Sequence, residues 1–322
     1  MNAKIQQIAY YLPINTLSND DLVVSNPEWN AQKVEKKVGI RKRHIASPEE
    51  TALEMAIKAA QKLFETVDPN IIDFVLFCTQ SPDYLLPTSA CIAQEKLGLR
   101  NNIGAMDFNL GCSGYIYGMA IANSLIKSAM VENVLLLTGE TYSKYIKDSD
   151  VSNRSIFGDA ATATLITRSE VEHLGEFVLG TDGRGAQNLM VRNIGAKDSY
   201  HSTSGVRPEL HMNGPEIFNF TIETIPPLID DVCNKNSLDL DEIDYVILHQ
   251  ANKYMLEFLI STIGLDPAKC HIDMLEYGNT VSNTIPIALK DAIDRGRIVD
   301  GDTVLLAGFG VGYSWGATII RI

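Results

Sequence analysis

Among the five cysteines of the 322-residue chain, Cys112 stands in the local sequence best suited to a sulfur nucleophile. It lies in Asp107-Phe-Asn-Leu-Gly-Cys-Ser-Gly-Tyr115, after a strand-like run and before a long helical pattern, Ile116 to Met130. A cysteine at a strand-to-helix turn meets the unsatisfied N–H groups and the positive dipole end of the helix. Both favour a thiolate, lowering a thiol pKa from about 8.5 toward roughly 3.5–7.5. Gly111 and Gly114 allow a tight turn and close approach of a substrate. The plainer reading of Cys112 is a buried residue beside a turn. Cys78, Cys91, Cys233 and Cys270 lack this setting and read as small core residues. The odd number and the absence of any CxxC pair argue against a disulfide framework and against a structural zinc site.

His249 closes an apolar run ahead of Gln250-Ala251-Asn252, a place that suits acid–base or hydrogen-bonding work. His44, His173, His201, His211 and His271 lack that context and read as surface or loop residues. Asn279, in Tyr277-Gly-Asn-Thr280, reads by itself as a turn residue. The run Gly308-Phe-Gly-Val-Gly-Tyr-Ser-Trp-Gly316 lies between two strand patterns. It suits a tight β-turn, or a backbone N–H aimed at a substrate oxygen. It follows neither the phosphate-loop nor the dinucleotide spacing and opens no helix.

The elements that must position these residues are those of an α/β protein. Phe74–Cys78, Ile103–Phe108 and Val134–Thr138 are short apolar runs separated by helix-length segments, which predicts a parallel sheet. Ser47-Pro48-Glu49-Glu50 reads as a helix start with a capping box, followed by a buried stripe of Leu53, Ala56, Ile57, Ala60, Leu63 and Phe64. An internal repeat runs through the chain. IDFVLFCTQ at Ile72 resembles IDYVILHQ at Ile243, and AMDFNLGC ending at Cys112 parallels HIDMLEYGN ending at Asn279. ENVLLLTGE at Glu132 parallels GDTVLLAGFG at Gly301, and GDAATATLI at Gly158 parallels WGATIIRI at Trp315. The four pairs keep their order at offsets of roughly 155–171 residues, so two similar halves, 1–170 and 171–322, are expected. Ligand sites in open α/β sheets lie beyond the carboxyl ends of strands. That rule, applied to both halves, places Cys112, His249 and Asn279 just past strand ends, where a pseudo-twofold packing can bring them together.

Composition narrows the partners. The net charge of −13 argues against nucleic acid as a ligand. No signal-peptide pattern or bilayer-length apolar run is present, so the expected location is cytoplasmic and off the membrane. One local exception to the acidity is the stretch Lys33 to His44, with Lys33, Lys36, Lys37, Arg41, Lys42 and Arg43 against Glu35. Such a cluster suits phosphates or an acidic partner.

A cysteine, a histidine and an asparagine in this order over two α/β repeats form a recognisable set. With GIRKRHIA, LPTSACIAQEKLG, DFNLGCSGY, SIFGDAATATLI, HQAN, YGNT and GFGVGYSWG, the whole chain resembles 3-oxoacyl-[acyl-carrier-protein] synthase III, a ketosynthase family of the thiolase-like superfamily. The resemblance implies a homodimeric five-layer αβαβα acyltransferase of fatty-acid biosynthesis. It would use coenzyme A thioesters and malonyl-acyl carrier protein as substrates, with no cofactor and no metal. It implies Cys112 as the acylated nucleophile, His249 and Asn279 as donors to the malonyl thioester, and the N–H groups of Cys112 and Gly310 as oxyanion hole. Gln250 and Lys253 match positions that meet the carrier protein, and Leu86 one that reaches a partner subunit's acyl pocket. An asparagine cannot take a proton, so the set favours decarboxylation over proton abstraction. A non-decarboxylating acyltransferase and an idle scaffold homologue are the rival readings. The departures from the family pattern are Leu86 in place of the frequent aromatic, a longer helix before Gly39, and Val281 to Pro286 after the GNT motif.

Overall fold

The computed structural model describes residues 1–24, 26–196 and 207–322. The first sheet contains β1 (Asn2–Tyr11), β4 (Phe74–Cys78), β5 (Gly104–Phe108), β6 (Asn133–Glu140) and β7 (Ala160–Ser169), in the order β1-β7-β6-β4-β5. The second contains β8 (Leu174–Thr181), β11 (Tyr245–Leu248), β12 (Thr303–Gly310) and β13 (Ser314–Arg321), in the order β11-β12-β13-β8. Two short antiparallel pairs stand apart, β2 (Thr16–Ser18) with β3 (Lys42–His44) and β9 (Leu189–Arg192) with β10 (Glu209–Met212). The sheets are mixed rather than wholly parallel. The β4, β5 and β6 strands run parallel, as the apolar runs predict, but β7 and β1 join antiparallel. Likewise β11 and β12 are parallel while β13 and β8 are antiparallel.

The four repeated segments occupy equivalent places. β4, β6 and β7 stand to one another as β11, β12 and β13 do. An isolated parallel bridge from Val246 to Cys270 takes the position of β5 beside β4. Between the sheets lie α5 (Gly114–Lys127) and the helix Thr284–Asp294, here α9. Tyr115, Ile116 and Met119 of α5 share one core with Ile285, Ala288 and Leu289 of α9 and with residues of both sheets. The helix α3 (Ala52–Phe64) covers the outer face of the first sheet, and α7 (Gly214–Asn236) and α8 (Lys253–Ile263) cover that of the second. The result is five layers, αβαβα.

The stripe on α3 is buried as its spacing predicts, apart from the half-buried Phe64. The helix begins later than the Ser47–Glu50 pattern suggests, however. Thr51 is the N-cap, its side chain accepting the Glu54 N–H at 3.2 Å. Glu50 instead accepts from Tyr11 at 2.8 Å and Lys58 at 2.5 Å, so tertiary partners outcompete the local capping box. Among the described residues no helix is long and apolar enough to cross a membrane.

Candidate active site

Cys112 sits on the turn from β5 to α5, and the glycine-bearing end of β12 comes close against it. A Cβ on Gly310, at the end of β12, would lie 2.9 Å from both Cβ and Sγ of Cys112. Only a residue without a side chain lets β12 approach the sulfur this closely. The backbone N–H groups of Cys112 and Val311 both face the thiol. The orientation of β12 explains why it is Val311 and not Gly310. The His249 N–H donates to the Ala307 carbonyl at 2.8 Å, so Ala307 faces β11. By strand alternation Gly310 then faces β13, opposite Ser314. The Gly310 amide is turned into the ladder, and the expectation that it forms the oxyanion hole passes to its neighbour.

The electrostatics differ from the simple helix-dipole picture. Burial pushes the Cys112 thiol up to about 12, and the charge of Glu140 adds to this, outweighing the two amides. The sulfur therefore rests as a neutral thiol. Glu140 ends β6 fully buried, accepting the Gln80 N–H at 2.9 Å and the Ser81 hydroxyl at 2.8 Å. Burial raises its own pKa to about 8.

His249 follows β11 and is buried, which lowers its pKa to about 3 and keeps the imidazole neutral. Its Nδ1 lies 2.7 Å from the Thr284 hydroxyl, and its Nε2 lies 3.4 Å from the Asn279 Nδ2. The ring of Phe309 meets it edge-on, with centroids 5.7 Å apart. Asn279 is anchored on both sides. Its N–H donates to Ile156 O at 2.8 Å, and its carbonyl accepts the Gly158 N–H at 3.0 Å. Its side-chain oxygen accepts the Val281 N–H at 2.9 Å, which turns the Nδ2 group toward His249. Val281 adopts φ 59°, rare for a β-branched residue, while fully buried. That strained residue presents the amide that orients Asn279.

Cys112, His249, Asn279 and Gly310 open onto one cavity of about 130 Å³, whose other walls are mostly apolar, among them Phe157, Leu189 and Phe309. The remaining expectations fare differently. Gln250 is 2% exposed, and its amide braces the backbone, donating to Leu248 O and His271 O and accepting from the Asp273 N–H. It is not available to a carrier protein. Lys253 is about half exposed at the start of α8, packed on Gly39, and shares a surface hollow with Lys36. Leu86 and its neighbour Leu85 are 82% and 84% exposed. Arg43 leaves the basic cluster, being buried against Asn19 and Ser155, and Arg41 and Lys42 are ion-paired with Glu276. His271 is also buried rather than superficial, hydrogen-bonded to the Tyr245 hydroxyl at 3.2 Å. His201 lies outside the described residues. Among the described residues no three His, Cys, Asp or Glu side chains are grouped to hold a metal ion.

Sequence reasoning missed Glu140, Thr284 and Val311. Glu140 left one trace, a lone acid ending the apolar run ENVLLLTGE. Thr284 left none, since its partner is 35 residues away.

Two family models match the chain: 3-oxoacyl-[acyl-carrier-protein (ACP)] synthase III over residues 106–183, and the C-terminal model of the same family over residues 233–322. A beta-ketoacyl-[acyl-carrier-protein] synthase III of Streptococcus equi subsp. zooepidemicus is 35% identical over 327 residues, covering 99% of both chains. A crystal structure of a 3-oxoacyl-(acyl-carrier-protein) synthase III superposes with TM-score 0.94 at 42% identity, covering 100% of both. The priming beta-ketosynthase of the R1128 polyketide pathway superposes with TM-score 0.93 at 27% identity, over 100% of this chain and 96% of that one.

Proposed function

The chain belongs to the 3-oxoacyl-[acyl-carrier-protein] synthase III family, and from that premise we propose that it self-acylates on Cys112 and condenses the acyl group with malonyl-acyl carrier protein. The observation that carries this reading is the meeting of Cys112, His249 and Asn279, from three distant segments, at one small apolar cavity.

The Cys112 sulfur attacks the carbonyl carbon of an acyl-coenzyme A. The N–H groups of Cys112 and Val311 hold the developing oxyanion. The bond to the coenzyme A sulfur then breaks, and that sulfur leaves with the proton first held by Cys112. The thiol and imidazole both rest neutral, so charge separates only as the substrate reacts. Malonyl-acyl carrier protein enters second. Loss of CO2 leaves an electron pair on the α-carbon, delocalised into an enolate oxygen. His249 and Asn279 donate to that oxygen, and the α-carbon attacks the acyl carbon as the Cys112 sulfur leaves. The amide of Asn279 supports decarboxylation because it donates without removing a proton.

Three further elements belong to this reading. The division into halves 1–170 and 171–322 falls between β7, ending at Ser169, and β8, starting at Leu174. A homodimer would cover the exposed Leu85 and Leu86 and the open edge of β5. The carrier protein would dock at Lys253 and Lys36. Intact-mass measurement after incubation with acetyl-coenzyme A tests the core of the proposal. A single acetyl adduct is expected, lost in Cys112→Ala, with CO2 release from malonyl-acyl carrier protein following. An adduct that persists in Cys112→Ala would sink it.

A further inference from the structure

The hydrogen bonds around His249 determine where its single proton sits. The Thr284 hydroxyl has one proton and two neighbours, Nδ1 of His249 at 2.7 Å and the Val281 carbonyl at 3.1 Å. A carbonyl accepts only, so a hydroxyl bonded to both neighbours at once donates to Val281 and turns its lone pair to Nδ1. Nδ1 is then the protonated nitrogen. The opposite side of the ring agrees independently. The Val281 N–H fixes the oxygen of Asn279, so the Asn279 NH2 points at Nε2, which must be the bare nitrogen. The resting imidazole thus offers the cavity a lone pair.

The second half-reaction needs the reverse, a donor at Nε2 toward the enolate oxygen. We propose that Thr284 is a positioning residue that holds His249 in its resting tautomer and, by turning its hydroxyl from Val281 to Nδ1, supports the other one. The inference rests on the condensing function proposed above. The proton count closes in both states. In acylation Nε2 takes the proton from Cys112 and gives it to the leaving coenzyme A thiolate, while Nδ1–H stays on Thr284. Before decarboxylation the imidazole gives its Nδ1 proton to water and takes one back on Nε2. Thr284 then donates to the bare Nδ1. A valine at this position could do neither, and a serine could do both.

The test uses the full chain labelled with 15N-histidine, with His249 assigned by comparison with His249→Gln. The expected resting spectrum has a protonated Nδ1 and a bare Nε2. In Thr284→Val that signature should be lost and malonyl decarboxylation should fall roughly 10–100-fold at little change in KM, as for loss of the hydrogen-bond partner that orients a functional histidine. Thr284→Ser should restore both. Unchanged His249 nitrogen shifts in Thr284→Val would overturn the proposal. If Thr284→Val does not fold, the wild-type spectrum still decides, because a proton on Nε2 in the resting enzyme refutes it. Whether wild-type Cys112 carries the acyl group is read by mass and does not depend on which His249 nitrogen the resting spectrum shows protonated, so this inference and the proposed function fail separately.

Discussion

At the scale of residues, the sulfur and the backbone beside it make the sharpest claims. Gly310→Ala would place a methyl carbon 2.9 Å from both the sulfur and the Cβ of Cys112. Overpacking of this kind typically costs about 1–3 kcal/mol, and here the displacement falls on the nucleophile and the Val311 amide. Acylation by acetyl-coenzyme A should drop at least about 10²-fold, the cost of one misplaced oxyanion donor. Wild-type acylation in that variant would show that the segment has room to move. The neutral thiol leads to a second expectation. With the thiol pushed up to about 12, the thiolate fraction rises about tenfold per pH unit through neutrality. Iodoacetamide should therefore modify Cys112 slowly at pH 7 and steadily faster up to pH 9. A plateau below pH 7 would mean that the helix dipole wins after all.

At the scale of elements, the start of α8 ties the second half of the chain to the basic segment. The stem of Lys253 packs on Gly39, the left-handed cap of α2 (Ala31–Val38), and brings Lys36 into the same hollow. Glu257 lies 3.6 Å from the Lys253 ammonium, but both are about half exposed, so this pair is weak and readily exchanged for a partner's carboxylate or phosphate. Lys253→Glu should raise the KM for malonyl-acyl carrier protein several-fold, an effect that shrinks as salt screens the surface. Self-acylation from acetyl-coenzyme A does not use the carrier and should change far less. Equal losses in both half-reactions would assign the residue to packing between α2 and α8.

At the scale of the whole molecule, buried titratable groups under the site couple stability to pH. Glu140 titrates near 8 in the fold against an ordinary value of 4.5. The folded chain therefore keeps a proton that the unfolded chain releases, and stability falls as pH rises between these values. Asp159, raised to about 6, acts in the same direction at lower pH. His249 and His271 act oppositely, staying neutral down to about 3 and 4, so their cost appears only below 6.5. The window from pH 6.5 to 7.5, below the range where the raised thiols of Cys78, Cys112, Cys233 and Cys270 contribute, is thus dominated by Glu140. Wild type should lose up to about 1.4 kcal/mol per pH unit there, and Glu140→Gln should flatten that slope in urea titrations. Parallel slopes would mean that Glu140 is ionised in the fold.

The sequence alone determined what local chemistry controls. The apolar runs of β4 and β6, the stripe on α3 and the repeat all follow from side-chain period, which each segment carries within itself. Cys112 was legible because its strand, its glycines and its helix are neighbours in the chain. Asn279 was legible only through the repeat. The tertiary structure decided whatever depends on partners far apart in sequence. It gave Arg43 and Gln250 buried structural tasks and carried the Glu50 side chain away from its cap. It turned Gly310 into a ladder and Val311 toward the sulfur, and it set Thr284 against His249. It also reversed the expected state of the thiol, because desolvation is a property of the packed surroundings and no local pattern around Cys112 encodes it.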